Sequence, residues 1–257
     1  MRIEQSEFHD HLVRGLAHKM NNILSLFHGY LGILIDEKKV DRETMAGLLK
    51  IRDTADAASK LIDRTKALAT PSSSTHWRQV APEDMLRSLL PSLNLYAERG
   101  VRIKVACEPG LTPLWADTAR LRMAIREIVK NACEASPANG VVRITVKPHG
   151  RPVRVRGKRA GVPALGWTAI SIADSGKGIP AELTEKIFQP FFSTKHERDS
   201  TGLGLSVALG LVQQLGGAIR LQSKPGKTVV KVLLPARGMQ ETPVIRHRTD
   251  VRLVPVV

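Results

Sequence analysis

The stretch from Trp167 to Pro180 restricts the fold more than any other. Trp167 to Ala173 is rich in apolar and β-branched residues, and Asp174-Ser175-Gly176-Lys177-Gly178-Ile179-Pro180 follows directly. The apolar part reads as a strand inside a buried sheet. A carboxylate at the end of such a strand can accept a hydrogen bond from an exocyclic amine such as that of adenine. The two glycines let backbone approach a flat ring or a phosphate with no side chain between. Asp and Gly after a strand are also ordinary turn chemistry, so the rest of the chain has to decide.

The 257 residues suffice for two domains, and 42% apolar with 25% charged residues predicts packed cores. No run approaches the ~18 apolar residues of a membrane span. Met1 to Asp10 is polar and acidic, without the apolar core of a signal peptide. Cys107 and Cys133 give neither a disulfide framework nor metal spacing and read as buried thiols, which fits a cytoplasmic location. The net charge of +15 favours anionic partners. Nucleic acid is not expected among them, because no zinc-finger spacing and no basic stripe interleaved with aromatics is present.

From the N-terminus, residues 6–36 predict one long helix with a seam of Phe8, Leu12, Leu16, Ile23, Phe27, Tyr30 and Leu34. A polar turn over 36–41 leads to a second helix over 42–68. Such a hairpin cannot cover its own apolar face, so pairing with a second copy into a four-helix bundle is expected. His18 lies two positions past Leu16 and should point partly to solvent. Asn21 and Asn22 are poor helix formers beside it, and Asn22 stands one turn on, on the same face. A surface histidine with no duty is the plainer alternative.

The small polar residues 69–75 mark a domain boundary. Beyond them the pattern predicts a strand over 77–80, a helix from Pro82 to about Arg99, a strand over 101–106 and a short strand over 114–116. Asp117 then caps a helix to about Ala135. Its apolar face is Leu121, Ile125, Ile128, Val129 and Ala132. Glu127, Asn131 and Glu134 line another face, an oxygen-bearing stripe that suits Mg²⁺; for Glu127 and Glu134 alone a solvated charged face is the plainer reading. A strand over 141–146 follows. The basic segment 147–160, which holds no acid, reads as a hairpin loop, either a solvated connector or a dock for an acidic partner. After Pro180 come a short helix and the aromatic cluster Phe188, Phe191 and Phe192. The polar stretch 196–200 and Thr201-Gly202-Leu203-Gly204-Leu205-Ser206 then read as a glycine-hinged lid leading into a helix whose N-terminus can bind phosphate. That helix ends at Gly216-Gly217. A hairpin of strands 218–223 and 228–234 closes the domain. The tail from 237 is basic, and residues 251–257 could add a strand.

Taken in order, His18 with Asn22 on a hairpin, Glu127 and Asn131, Asp174-x-Gly176-x-Gly178, the phenylalanine cluster and Gly202-x-Gly204 resemble the sensor histidine kinases of two-component signalling. The resemblance covers residues 10–235 and is nearest to the nitrogen-regulation type, with its H-x-x-N-N box and short Phe-Pro-Phe-Phe-[Ser/Thr]-Thr-Lys lid. It implies an α+β protein: a dimerising, phosphoaccepting hairpin (1–70), an α/β sandwich ATP-binding domain (77–236) and a basic tail (237–257). His18 would be the phosphoacceptor, with Asn22 where the family holds the water that dephosphorylates its regulator. Asn131 would ligate Mg²⁺, with Glu127 near the metal or its water. Asp174 would bond the adenine amine, with Gly176, Gly178 and Ile179 in its loop. Thr194 and Lys195 would lie near the lid and phosphates, and Gly202 and Gly204 would shape the loop around the triphosphate. Lys130, Glu134, Phe191, Thr201, Leu203 and Leu205 would complete the ATP site. The implied partners are a response-regulator receiver domain and a second copy of the chain, with no membrane insertion.

One position departs from the family. An acid usually follows the phosphoacceptor and helps take its proton; here Lys19 stands there. A charged lysine cannot accept a proton, so slow autophosphorylation is expected, and a kinase-attenuated scaffold or regulator phosphatase is the alternative. An ATPase switch of the same fold is another, since Glu127-x-x-x-Asn131 matches the spacing in those ATPases. With the hairpin beginning so near Met1, input is expected from a partner, from the basic loop or tail, or from a segment outside this chain.

Overall fold

The computed structural model describes residues 2–36, 41–68, 76–150, 153, 166–194 and 201–236. The chain divides into two compact units, Met1–Pro71 and Ser72–Val257.

The first unit is a hairpin of α1 (Arg2–Asp36) and α2 (Arg42–Leu68). Asp41 starts α2, accepting from the Thr44 backbone N–H at 2.8 Å, as an N-cap should. The stripe of α1 that packs against α2 is not the one the spacing suggested. Ala17 and Leu31 are buried, whereas Leu16, Ile23, Phe27, Tyr30 and Leu34 are exposed, Tyr30 by 68%. Met20 joins that outer stripe and makes its spacing alternate regularly between four and three. Among the described residues, polar contacts also cross the hairpin. Asn21 Nδ2 donates to Asp63 at 3.3 Å, and His28 Nε2 meets Asp56 at 2.6 Å. They lie seven residues apart on each helix, so one face of α1 carries both. The side chains of Phe8, Leu12, Leu61 and Leu68, the turn at 37–40 and the linker at 69–75 lie outside the described residues.

The second unit is a five-stranded sheet with helices on one face. Its order is β2 (Arg102–Cys107), β4 (Val141–His149), β5 (Trp167–Asp174), β7 (Lys227–Pro235), β6 (Ala218–Lys224); β2 and β4 are parallel and the other pairs antiparallel. A small ribbon of β1 (Trp77–Val80) and β3 (Leu114–Asp117) stands beside it. Alternation sends Val142, Ile144, Val146, Ile170, Ile172 and Val232 inward. They meet α3 (Pro82–Asn94), α4 (Thr118–Ala135) and α5 (Gly204–Gln214). All five residues read as the apolar face of α4 are buried. At roughly 1.5–3 kcal/mol for each large apolar side chain, this layer dominates the stability of the unit.

Three boundaries differ from the sequence reading. Helix α3 stops at Asn94, not near Arg99. The chain reverses there into β2, through left-handed Arg99 and Gly100, and Asn139 N donates to Arg99 O at 2.9 Å. After Pro180 there are two 3₁₀ turns, Ala181–Leu183 and Lys186–Phe188, and no α-helix. Pro190 forces Gln189 into extended backbone and ends the second. Strand β4 runs on to His149, into what read as loop. Gly216 ends α5 as expected: it is left-handed, and Gly217 N returns to Val212 O at 2.9 Å. Residues 237–257, including the strand suggested over 251–257, lie outside the described residues.

Candidate functional site

Asp117 fixes the start of α4, its carboxylate accepting from the backbone of Ala119 (3.0 Å) and Arg120 (3.2 Å). This sets which residues of α4 face the strand-end loop and α5. Glu127 is nearly buried, and Asn131 lies one turn further on. Both border the first residue of α5: a Cβ on Gly204 would stand 3.0 Å from Glu127 Oε2 and 3.2 Å from Asn131 Nδ2. The stripe read from sequence therefore divides. Glu127 and Asn131 converge on Gly204, while Glu134 is exposed and lies 3.7 Å from Lys130 Nζ.

Helix α5 begins without a side-chain cap: Leu203 occupies the cap position, buried and apolar. The first amides of such a helix are orphan donors pointing outward along its dipole, suited to an anion. Leu205 is half-buried, and Ser206 turns its hydroxyl back to Leu203 O at 2.9 Å. Ahead of α5, left-handed Gly202 lies so close to the Phe191 backbone that no Cβ would fit. Phe191 is left-handed too and 71% exposed. Thr194 and Thr201, the described residues on either side of 195–200, are exposed. Lys195 lies outside the described residues.

The loop after β5 closes the other side. Asp174 is buried at the strand end and accepts from Gly176 N at 2.9 Å. Burial pushes its carboxyl above the usual carboxylate range, and the Gly176 N–H draws it partly back. A Cβ on Gly176 would meet Ala135 O at 2.5 Å, and one on left-handed Gly178 would meet Lys224 O at 2.6 Å. These two glycines let the loop lie against the end of α4 and the tip of the β6–β7 hairpin. Ile179 N donates to Ser223 Oγ at 2.8 Å, and Ser223 is 2.9 Å from Thr228 Oγ1. Thr228 is buried and stands in register with Asp174. The sequence reading missed it; a threonine opening an otherwise apolar strand was the available signal. Cys133 is buried next to this region, its thiol pushed up to about 11 by desolvation; Cys107 is only half-buried, contrary to expectation.

In the hairpin, His18 and Lys19 are exposed. The Asn22 amide faces His18 Nδ1 at 3.5 Å. The amide atom placed there is Nδ2, which would donate to Nδ1 and leave the ring proton on Nε2; turning the amide so that Oδ1 accepts the Nδ1 proton frees the Nε2 lone pair for attack.

A strand-end carboxylate, a glycine loop, a carboxylate–amide pair and an uncapped helix start, set on helices over one face of a mixed sheet, define a nucleotide-binding domain. The sequence profile of the histidine kinase-, DNA gyrase B- and HSP90-like ATPases matches residues 116–238, and the unit has the ATP-binding fold of that class. Similarity extends through the hairpin. The sensor histidine kinase ZraS of Klebsiella oxytoca is 31% identical over 232 residues, 90% of this chain and 47% of that protein. The sensory histidine kinase/phosphatase NtrB of Vibrio alginolyticus is 30% identical over 226 residues, 87% of this chain and 61% of that one. In fold, full-length ShkA in complex with AMPPNP superimposes with a TM-score of 0.70 at 23% identity, covering 89% of this chain and 46% of that one. The catalytic domain of histidine kinase ThkA gives 0.52 at 24% identity, covering 63% and 97%. The chain belongs to the sensor histidine kinases of two-component signalling. It spans about half the length of ZraS. Among the described residues no helix is long and apolar enough to cross a membrane.

Proposed function

We propose that the chain is an ATP-dependent protein histidine kinase that phosphorylates itself on His18 and passes the phosphoryl group to an aspartate of a response-regulator receiver domain. The observation that carries this reading is His18 itself, exposed on α1 with its Nδ1 held by Asn22, in a chain whose second unit has an ATP-binding fold.

In this reading Asp174 accepts from the adenine amine, with Gly176, Gly178 and Ile179 shaping the loop and Thr228 beside it. Glu127 and Asn131 fit Mg²⁺: they present oxygen donors side by side at a spot where glycine leaves room, and Mg²⁺ takes one or two protein oxygens and keeps water and phosphate for the rest. The ion would supply charge neutralisation at the phosphates. Gly202, Gly204 and the first amides of α5 cradle the triphosphate, with Leu203 and Leu205 fixing the helix start. Phe191, Thr194, Lys195 and Thr201 belong to the lid, and Lys130 and Glu134 border the site. His18 Nε2 attacks the γ-phosphorus in line as the bond to the leaving ADP oxygen breaks; the Nδ1 proton stays on the ring, hydrogen-bonded to Asn22 Oδ1, and the phosphoimidazolium so formed releases it to solvent. The exposed stripe from Leu16 to Leu34 packs against a second copy to form a four-helix bundle. Its alternating spacing of four and three is that of a helix–helix seam.

Lys19 favours a second reading. It places a cation, not a proton acceptor, next to His18, which suits a chain whose main task is to dephosphorylate its regulator, with Asn22 holding the water. Intact mass after incubation with Mg-ATP, beside a His18→Ala control, separates the two. An acid-labile phosphate absent from the control is the result expected of the kinase. ATP binding without any added phosphate would overturn it in favour of the phosphatase.

A further inference from the structure

The face of the five-stranded sheet away from α3, α4 and α5 plays no part in the site described above, and its charge is unusual. The strand register places Lys104 directly beside Arg143, Lys231 beside Arg220, and Lys227 beside Lys224. Alternation puts all six on one face, opposite the buried Val142, Ile144 and Val232. Like charges directly across a sheet destabilise it, so three such pairs without an intervening acid are not an arrangement that stability favours. Just past β2, Glu108 is held by Lys147 at 2.6 Å.

Between the two cationic banks the floor is made mainly of small side chains. Ala106, Thr145 and Ser171 form one row leading to Lys231 and Arg220, and in the next row Ala173 and Val229 follow Arg143 and lead to Gln222. One end of the face is closed where Val153 packs with Trp167, Ala169 and Leu233. Val153 comes from the segment 147–160, which holds six basic residues and no acid.

We propose that this face docks an extended acidic segment of a partner protein. The small floor lets a chain lie close, and the banks place cations on both sides of it. Sheet twist argues against a membrane as the occupant. At about 20–25° per strand pair, β2 and β6 are turned by roughly 80–100° relative to each other, so a planar bilayer meets one bank only. The face also presents no exposed aromatic on which bases would stack.

The test is fluorescence anisotropy of a labelled poly-glutamate peptide with the full chain at about 0.15 M salt. It uses two variants that each neutralise four cations. One changes Lys104, Arg143, Arg220 and Lys231 to Gln; the other changes Lys50, Arg87, Arg126 and Lys186, which are exposed elsewhere. The face variant is expected to bind at least about tenfold more weakly and the other within about twofold of the parent. An equal loss in both reduces the effect to net charge and overturns the proposal, as does a parent chain that does not bind the peptide. Phosphatidylserine vesicles or duplex DNA that bind more tightly than the peptide, with the same dependence on the face, would overturn it in favour of that occupant. Relief of the like-charge pairs should leave the melting temperature of the face variant unchanged or raised. If it falls, the charge-keeping variant Lys104→Arg, Lys231→Arg decides: retained binding supports the face, and lost binding overturns it.

Discussion

Gly204→Ala tests the joint role assigned to Glu127, Asn131 and the start of α5. The new methyl would stand 3.0 Å from Glu127 Oε2 and 3.2 Å from Asn131 Nδ2, short of ordinary contact by about 0.4 and 0.2 Å. Glu127 has little room to withdraw, since its helix neighbours Ile125, Ile128 and Val129 are fully buried. Overpacking of this kind costs roughly 1–3 kcal/mol, and the helix preference of alanine over glycine offsets about 1 kcal/mol. The net loss of roughly 0–2 kcal/mol lowers the melting temperature by at most about 8 °C for a unit of this size. Nucleotide binding should suffer more, because displaced metal-binding groups typically lose about 10–100-fold in affinity. Calorimetric titration with a non-hydrolysable ATP analogue, with Mg²⁺ and again with chelator, separates the effects. The expected result is about tenfold or more weaker binding with Mg²⁺ and a smaller loss without it. Gly150→Ala, where nothing lies within 4 Å of the new methyl, should change neither. Binding of Mg-nucleotide by Gly204→Ala within about twofold of the parent would refute the assignment of Glu127 and Asn131 to the metal.

Asp174→Asn should abolish measurable nucleotide binding while the ligand-free chain melts no lower than the parent. Burial raises the Asp174 carboxyl, so its destabilising effect is absent below the unfolded-state value and develops as pH rises through the folded-state one; at neutral pH the amide escapes it, and a clear drop in melting temperature would contradict this. His28 should behave in the opposite sense. Both its ring nitrogens face acceptors, Leu24 O at 2.7 Å and Asp56 at 2.6 Å, and these hydrogen bonds favour the imidazolium and raise its pKa. Its contribution to the hairpin is present below about pH 6.5 and is lost as pH rises through the raised value; helicity melts across that range should show the dependence in the parent and not in His28→Gln. Lys19→Glu should speed autophosphorylation by about 10²–10⁴-fold, the range of general-base help, measured as phosphohistidine against time. No change would clear Lys19 as a defect.

Much of the site could be read locally. His18 and Asn22 are one helical turn apart, and α1 brings the amide to the ring as that spacing requires. Asp174, Gly176 and Gly178 form a single loop whose hydrogen bond spans two residues. The apolar spacing of α4 marked its buried face because helical period and burial are both local properties of one element. Where two partners are distant in sequence, the reading failed or stayed open. Asn131 and Glu134 looked alike as members of one stripe, and α5 separates them by approaching only the first. Thr228 gained its place through the register of β5 and β7. The stripe on α1 was recognised as a seam, but α2 takes the neighbouring face, on which Asn21 and His28 find carboxylates.

The sequence by itself determined most of the elements, the Asp117 cap and the Gly216 break, the motifs and the family resemblance, because each depends on residues a few positions apart and on chemistry that travels with the side chain. Tertiary structure alone decided which of those residues meet. Strand register assembled six cations from four strands on one face of the sheet, and helix packing brought Gly204 against Glu127 and Asn131. These are long-range pairings, set by the burial of whole elements in one core, and no local pattern of residue types encodes them.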